Sequence, residues 1–520
     1  MRVLLVTGQL AQAVVTEYAK ESAVETEVIA LKTAVAAFLT PQSILEGLRE
    51  KTLVDFGMIL TPGLVRGDTS VITQATGIPT FKGPRYAADL PFVLDMLCEV
   101  SLSVTVPADV LLKEKIAIKA QAEIQKTESK RDELLKHPGN TQIGNVAIGR
   151  DFPMRVLAEI VDAAQMDKTA IQQIATRFVA AGADFIDVGM VAGESQPQRA
   201  GQIVAWVKEV VTVPVSIDTL DPAEIRAAIK AGVELVLSGD AGNLEEIAPY
   251  VSDVAVVIIP TDQRQGYFPK KATDRVRYLE ETIAKAKMLG ITQCIADLIL
   301  EPIDILESFL AYKMFAERNP EVPIFVGVSN VSELFDADSV GINALLARLS
   351  SEVGGNILLA TEQSPKARGT VAEEVVAAKM MFLAKKRGAV PKDLGIDLLI
   401  LKDKRRCEEL YDPEIEAEAT VITAPDMTEP AVLDELGVFR IGLDRTAEVL
   451  IVAHYASSDL NKPDCIIKGK NAKCVYVKIL SLGLVSRLDH AAYLGEELTK
   501  AEIALQTGKQ YLQDSGLFMK

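Results

Sequence analysis

The chain has 520 residues, 49% of them hydrophobic and 24% charged, with a formal charge of −17; it is too long for one ordinary core and too apolar for disorder. The acidic balance excludes nucleic acid as a partner, because phosphate binding needs clustered Lys and Arg, and no apolar run is long enough to span a membrane. Three histidines and five scattered cysteines without a CxxC pair exclude a histidine-rich metal centre and a zinc ribbon.

The opening MRVLLVTG reads as a buried first strand rather than a secretory signal, and a soluble cytoplasmic protein is expected. Over residues 1–106, RVLLVT (2–7), ETEVIAL (25–31) and FGMIL (56–60) are strand-like and alternate with helical stretches, predicting an open, Rossmann-like α/β domain. Its turns carry neither GxGxxG nor GxxxxGK[ST], so a nucleotide is not expected. The loop TPGLVRGDTS (61–70) follows a strand end, where α/β folds bind ligands; Arg66 and Asp68 are its candidates, and ordinary turn chemistry is the alternative. Residues 107–143 read as a polar helical connector broken at HPGN.

From 144 to 388 strand and helix alternate. The strand candidates are 145–150, 184–189, 214–218, 234–239, 254–259, 293–298, 323–328 and 356–361, the rhythm of a (β/α)8 TIM barrel. Residues 389–520 lose that alternation. GVFRIGLDRTAEVLIVAHY (437–455) predicts an antiparallel pair turning near 443–446, and the stretch after Ser486 one long amphipathic helix, together a C-terminal α+β domain. Its polar positions His490, Tyr493 and Lys500 read as a solvated or interdomain face.

A TIM barrel places its site at the carboxyl ends of its strands. On this reading the first strand ends in Arg150 and Asp151, the loop after the second carries Glu194, and the third ends in Asp218. The fourth leads into Ser238 and Asp240, the fifth into Asp262, the sixth into Asp297, the seventh into Asn330, and the eighth into Glu362, Lys366 and Arg368. Carboxylates ringing a barrel mouth suit a ligand edge with paired N–H donors, or Mg²⁺. The outer basic residues suit a phosphate or diphosphate. A single Asp after a strand also fits a helix N-cap, Asp262 above all; Asp218, inside SIDT, does not.

GADFIDVGMVAGESQP (182–197), PVSIDTLDPAEIRAAIKAG (214–232) and the segment around Asp297 resemble dihydropteroate synthase and its pterin-binding relatives over roughly 145–385. The whole chain is similar to the dihydropteroate synthase-like proteins of organisms that make methanopterin. The resemblance implies that Asp218 and Asp297 bind a pterin, Asp297 through its 2-amino and N3 edge, and that the substrates are a dihydropterin methyl diphosphate and an arylamine, with Mg²⁺. It also implies a homodimer. The seventh-strand Ser-Arg-Lys of the synthases is absent. GVSNVSEL (327–334) stands there and resembles the pterin-dependent corrinoid methyltransferases, in which the residue matching Asn330 bonds the pterin near N5. A pterin-dependent methyltransferase working with a corrinoid protein, and a non-catalytic pterin-binding protein, therefore remain as alternatives.

Overall fold

Four short parallel strands open the chain in the computed structural model, which describes residues 2–49, 51–53, 55–392, 394–402, 419–424 and 432–518. They are β1 (Arg2–Gly8), β2 (Thr26–Leu31), β3 (Phe56–Thr61) and β4 (Thr80–Lys82), in sheet order β2-β1-β3-β4. Apolar residues alternate along β1. Val3 and Leu5 join one core layer, and Leu4 and Val6 another, so helices cover both faces of the sheet. After β3 and β4 the two loops bond to each other, Gly63 N–H to Pro84 O and Gly83 N–H to Thr61 O. The helix Ala108–Glu128 follows. Its Ala120 and Ile124 enter the core of the next region, and Arg387 of the helix Thr370–Arg387 pairs with its Glu123 at 2.8 Å.

Eight parallel strands then close a barrel. They are β7 (Arg155–Ile160), β8 (Phe185–Gly189), β9 (Val215–Asp218), β10 (Leu235–Gly239), β11 (Ala255–Ile258), β12 (Cys294–Ala296), β13 (Ile324–Val326) and β14 (Gly355–Thr361), with β14 pairing back onto β7. Seven of these coincide with the strands expected from sequence. The first does not. The segment around 145–150 forms an antiparallel hairpin, β5 (Thr141–Ile143) with β6 (Val146–Ile148), and the true first barrel strand begins at Arg155. The hairpin closes the amino end of the barrel. Its Ile143 and Ile148 pack with Leu157, Phe185, Leu235 and Ile357, which lie in the lower part of the barrel interior. Its turn lies against Pro214 and Glu234, just before β9 and β10.

Residues 1–409 form one compact unit and 410–520 a second. In the second, β15 (Gly437–Asp444), β16 (Val449–Ala456) and β17 (Cys465–Gly469) make an antiparallel sheet; the helices Ala472–Ser481 and Leu488–Thr507 pack on one face around Val452, Val475 and Leu498. The expected pair turns between Asp444 and Val449; β17, with its exposed Ile466, carries too little apolar patterning to be read from sequence. Among the described residues no helix is long and apolar enough to cross a membrane.

Candidate functional site

Successive residues of a strand point to opposite faces, so positions two apart share one face. Leu157, Phe185 and Ile295 face the barrel interior near its amino end. Two residues further along, the same column carries Glu159, Asp187 and Asp297, and Asp218 follows Ser216 on β9. Register sets Glu159 beside Asp187, Asp187 beside Ser216, and Gly189 beside Asp218. The interior is thus apolar below and acidic above. Gly189 leaves room for this arrangement, because a Cβ there would push against the Glu159 carboxyl.

Oxygens of Glu159, Asp187 and Asp218 lie within 4.8 Å of one another. Burial, then the charges of Asp218 and Asp162, pushes Glu159 up to about 8. Burial, then Asp297, pushes Asp218 up to about 7. Asp187, wholly buried, is held well above the usual carboxylate range by burial and then by Asp218 and Glu159. Burial pushes Asp297 up to about 6, against the Tyr312 hydroxyl, the Ile299 N–H and the Arg275 charge, which all favour its ionised form. Near neutral pH the pocket therefore combines an ionised acceptor, Asp297, with a carboxyl that still holds its proton and can donate, Glu159, and Asp187 is shifted in the same direction as Glu159. Asp187 Oδ1 accepts the Ser216 hydroxyl, while its Oδ2 is buried without a protein partner. An all-carboxylate set at this spacing could also hold a hard divalent cation, which would displace those protons.

The other expected residues divide. Asn330 is exposed at the start of the short helix Ser329–Ser332, its Nδ2 3.4 Å from Leu300 O in the loop after Asp297. Gly327 gives it room, since a Cβ there would lie 2.7 Å from Asn330 Nδ2. Arg368 is exposed after β14, with no ion pair among the described residues. Glu194 is exposed in the loop after β8 and accepts Gln196 Nε2 at 2.7 Å. The Ser238 carbonyl accepts Asn243 Nδ2 at 3.1 Å.

Asp240 and Asp262 serve the backbone. Asp240 accepts the N–H groups of Gly242, Asn243 and Gln263 and the Thr261 hydroxyl. Asp262 caps the turn Gln263–Gln265. Glu362 pairs with Arg177 and accepts Val371 N–H at 3.3 Å, and Lys366 pairs with Asp336 at 2.9 Å. In the amino-terminal sheet Arg66 is exposed, and Asp68 accepts Ser70 N–H at 2.8 Å, which is turn chemistry.

Arg150 and Asp151 need correction. Because β6 belongs to the hairpin, they precede the first barrel strand and lie at the amino end, away from the carboxylates. Asp151 accepts Asn140 Nδ2 at 2.7 Å and pairs with His137 at 2.9 Å, and the Arg150 side chain lies by Gly139, itself against Pro320 ahead of β13. The same shift hid Glu159 in the sequence. The signal that could have found Glu159 and Asp187 is an acid two residues beyond a bulky apolar residue in an otherwise apolar strand. In the second unit His490 bonds Asp434 at 3.1 Å, Tyr493 bonds Asp514 at 2.6 Å, and Lys500 pairs with Glu496 at 3.6 Å.

Residues 159–353 match the family described as pterin binding enzyme. Residues 433–514 match a family described as PterinBD-DUF4346, and residues 1–85 a family of unknown function, DUF6513. An uncharacterized protein of Methanocaldococcus jannaschii is 39% identical over 538 residues, covering 100% of this chain and 99% of its own length. A Ycf91-like protein of Nostoc is 32% identical over 106 residues, 16% of this chain and 84% of its own. Among solved structures, Yersinia pestis dihydropteroate synthase with a pterine-sulfa conjugate is 19% identical at a TM-score of 0.38, covering 48% of this chain and 99% of that one. Xanthomonas albilineans dihydropteroate synthase in complex with 7,8-dihydropteroate is 22% identical at a TM-score of 0.38, covering 49% and 100%.

Proposed function

Because the chain belongs to the dihydropteroate synthase-like, pterin-binding family, sharing its full length with the Methanocaldococcus jannaschii protein, we propose that it joins a dihydropterin methyl diphosphate to an arylamine, a step in making a methanopterin- or folate-type cofactor. The observation that carries this reading is the set of carboxyls at the carboxyl end of the barrel, Asp187 and Asp297 buried, Glu159 and Asp218 half-buried. Asp297, ionised, accepts the paired N–H groups of the pterin's 2-amino and N3 edge. Asp218 bonds the same ring, and the neutral acids Glu159 and Asp187 donate to its acceptor atoms. Such bonds are strong in a site closed to water.

The reaction then needs no enzyme nucleophile. The amine attacks the pterin methylene as diphosphate leaves, and the protein holds the two reactants in line. Mg²⁺, travelling with the diphosphate, would supply charge neutralisation for the leaving group. Arg368, exposed after β14 and without an ion pair among the described residues, would add to it. We assign Asn330 to the pterin edge near N5. Exposed Leu306 and Leu310 on the outer helix Ile305–Arg318 support a homodimer.

The test is diphosphate release from a dihydropterin methyl diphosphate, with Mg²⁺ and an arylamine such as 4-aminobenzoate. Release that depends on the amine supports the synthase. The missing synthase Ser-Arg-Lys favours the two competing readings, and GVSNVSEL with its Asn330, standing there, points to one of them, methyl transfer between a reduced pterin and a corrinoid protein. Methyl transfer without diphosphate release would establish that instead. Arg150→Ala, at the opposite end of the barrel, is expected to leave dihydropterin affinity unchanged by titration calorimetry. A clear loss would place the ligand elsewhere.

A further inference from the structure

Asp297 is gripped from one side. Its Oδ1 accepts both the Tyr312 hydroxyl and the Ile299 N–H, the latter at 2.8 Å. Among the described residues no protein group bonds its Oδ2. Tyr312 comes from the helix Ile305–Arg318 and is wholly buried.

The Ile299 N–H is aimed by an unusual backbone. Ile299 has φ 62, the left-handed region, which a β-branched residue adopts only under constraint. The constraint is Arg275, whose side chain is also wholly buried. Its Nη1 donates to Leu298 O at 3.3 Å, to Ile299 O at 2.8 Å and to Ser308 Oγ at 3.2 Å. Its Nε donates to Pro269 O at 3.1 Å, and Nη2 pairs with Glu301, whose other oxygen pairs with Lys270 at 2.8 Å. The Leu298 carbonyl and the Ile299 N–H are opposite ends of one planar peptide. A guanidinium fixed on that oxygen therefore fixes the direction of the N–H that points at Asp297.

We propose that Arg275 and Tyr312 are positioning residues for Asp297: acting through Oδ1, they set the orientation of its carboxylate and leave Oδ2 as the edge that meets the ligand. This rests on the pterin reading above. Neither residue is required to touch the ligand. Burial raises the Asp297 carboxyl, and Tyr312, the Ile299 N–H and Arg275 oppose it by favouring the charged form. On β9 Asp218 is itself raised by burial and then by the Asp297 charge, and Glu159 and Asp187 are raised in turn by burial and then by Asp218.

The experiment is titration calorimetry of a 7,8-dihydropterin on the full chain from pH 5 to 9, for wild type and Tyr312→Phe. The lost O–H stabilises only the ionised carboxylate, so the acid limb of the affinity profile should move up by roughly 1 pH unit. Affinity should fall about twofold at pH 7 and roughly ninefold at pH 5, and recover at pH 9. A uniform loss at every pH, or no change, overturns the proposal. Arg275→Lys keeps the charge but not the fork. It should lose affinity at all pH values without recovery, and wild-type affinity would overturn the role of Arg275.

Difference infrared titration of the ligand-free chain, with Asp297→Asn to assign the band, reads the carboxyl directly. Asp297 should titrate at higher pH in Tyr312→Phe than in wild type, and an unmoved titration overturns the proposal. Failure of the wild type to bind any pterin would fail the functional reading, while the infrared result still decides the positioning.

Discussion

Asp297→Asn is expected to weaken dihydropterin binding by about 1.5–3 kcal/mol, roughly 10- to 150-fold. The substitution keeps size and shape, so the effect comes from two sources. The carboxylate loses the charge that makes its N–H bonds strong. An amide nitrogen then competes for the position that faces the ligand's donors, or else for the side that faces Tyr312 and Ile299, which are donors too. Whichever way the amide turns, a donor meets a donor. Titration calorimetry at pH 7.5 measures the loss, and the acid limb near pH 6 set by this carboxyl should disappear with it. Unchanged affinity would remove Asp297 from the site.

Glu159→Gln is expected to stabilise the protein at high pH and to do little at pH 5. Folding raises the Glu159 carboxyl from its ordinary value near 4.5 to about 8. The folded state therefore holds this proton more tightly than the unfolded chain does. The stability so linked is fully present below about pH 4.5 and is lost as pH climbs through 8. Glutamine takes the group out of that loss, a difference on the order of a few kcal/mol at pH 9. Asp218 and Asp187 act in the same direction, so wild-type melting temperature should fall from pH 5 to 9. Scanning calorimetry of both proteins at the two pH values checks this. Parallel curves would mean that Glu159 keeps its charge when folded.

Much of the barrel was legible because a buried parallel strand is a short apolar run between amphipathic helices, and seven such runs stand alone in the sequence. Around 145–160 two runs stand together, VAI and RVLA. Composition cannot say which pairs with a short hairpin partner and which joins β8 and β14, because that choice depends on long-range pairing. The error moved the expected site from Glu159 to Arg150 and Asp151.

The acidic strand ends show the complementary limit. Asp218 closes β9 and Asp297 follows β12, and both end in the pocket, Asp297 with one oxygen held by the Ile299 N–H and the other left open among the described residues. Asp240 and Asp262 lie at loop starts, where free N–H groups are abundant, and those groups take them. The Arg177–Glu362 pair, spanning 185 positions, leaves no local pattern at all. Nor does Arg275, whose importance comes from a single peptide on another loop.

The hairpin β5–β6 changes where the barrel begins as a unit of inheritance. The stretch that matches pterin binding enzymes starts at residue 159, inside the first barrel strand. The stopper lies upstream of it, on the segment that leads back to the amino-terminal sheet. A chain shortened to begin at Arg155 would expose Leu157, Phe185 and Ile357 to water from below. Deletions that separate the two regions must therefore leave the hairpin with the barrel, and with it the helix Ala108–Glu128, whose Ala120 and Ile124 enter the barrel core.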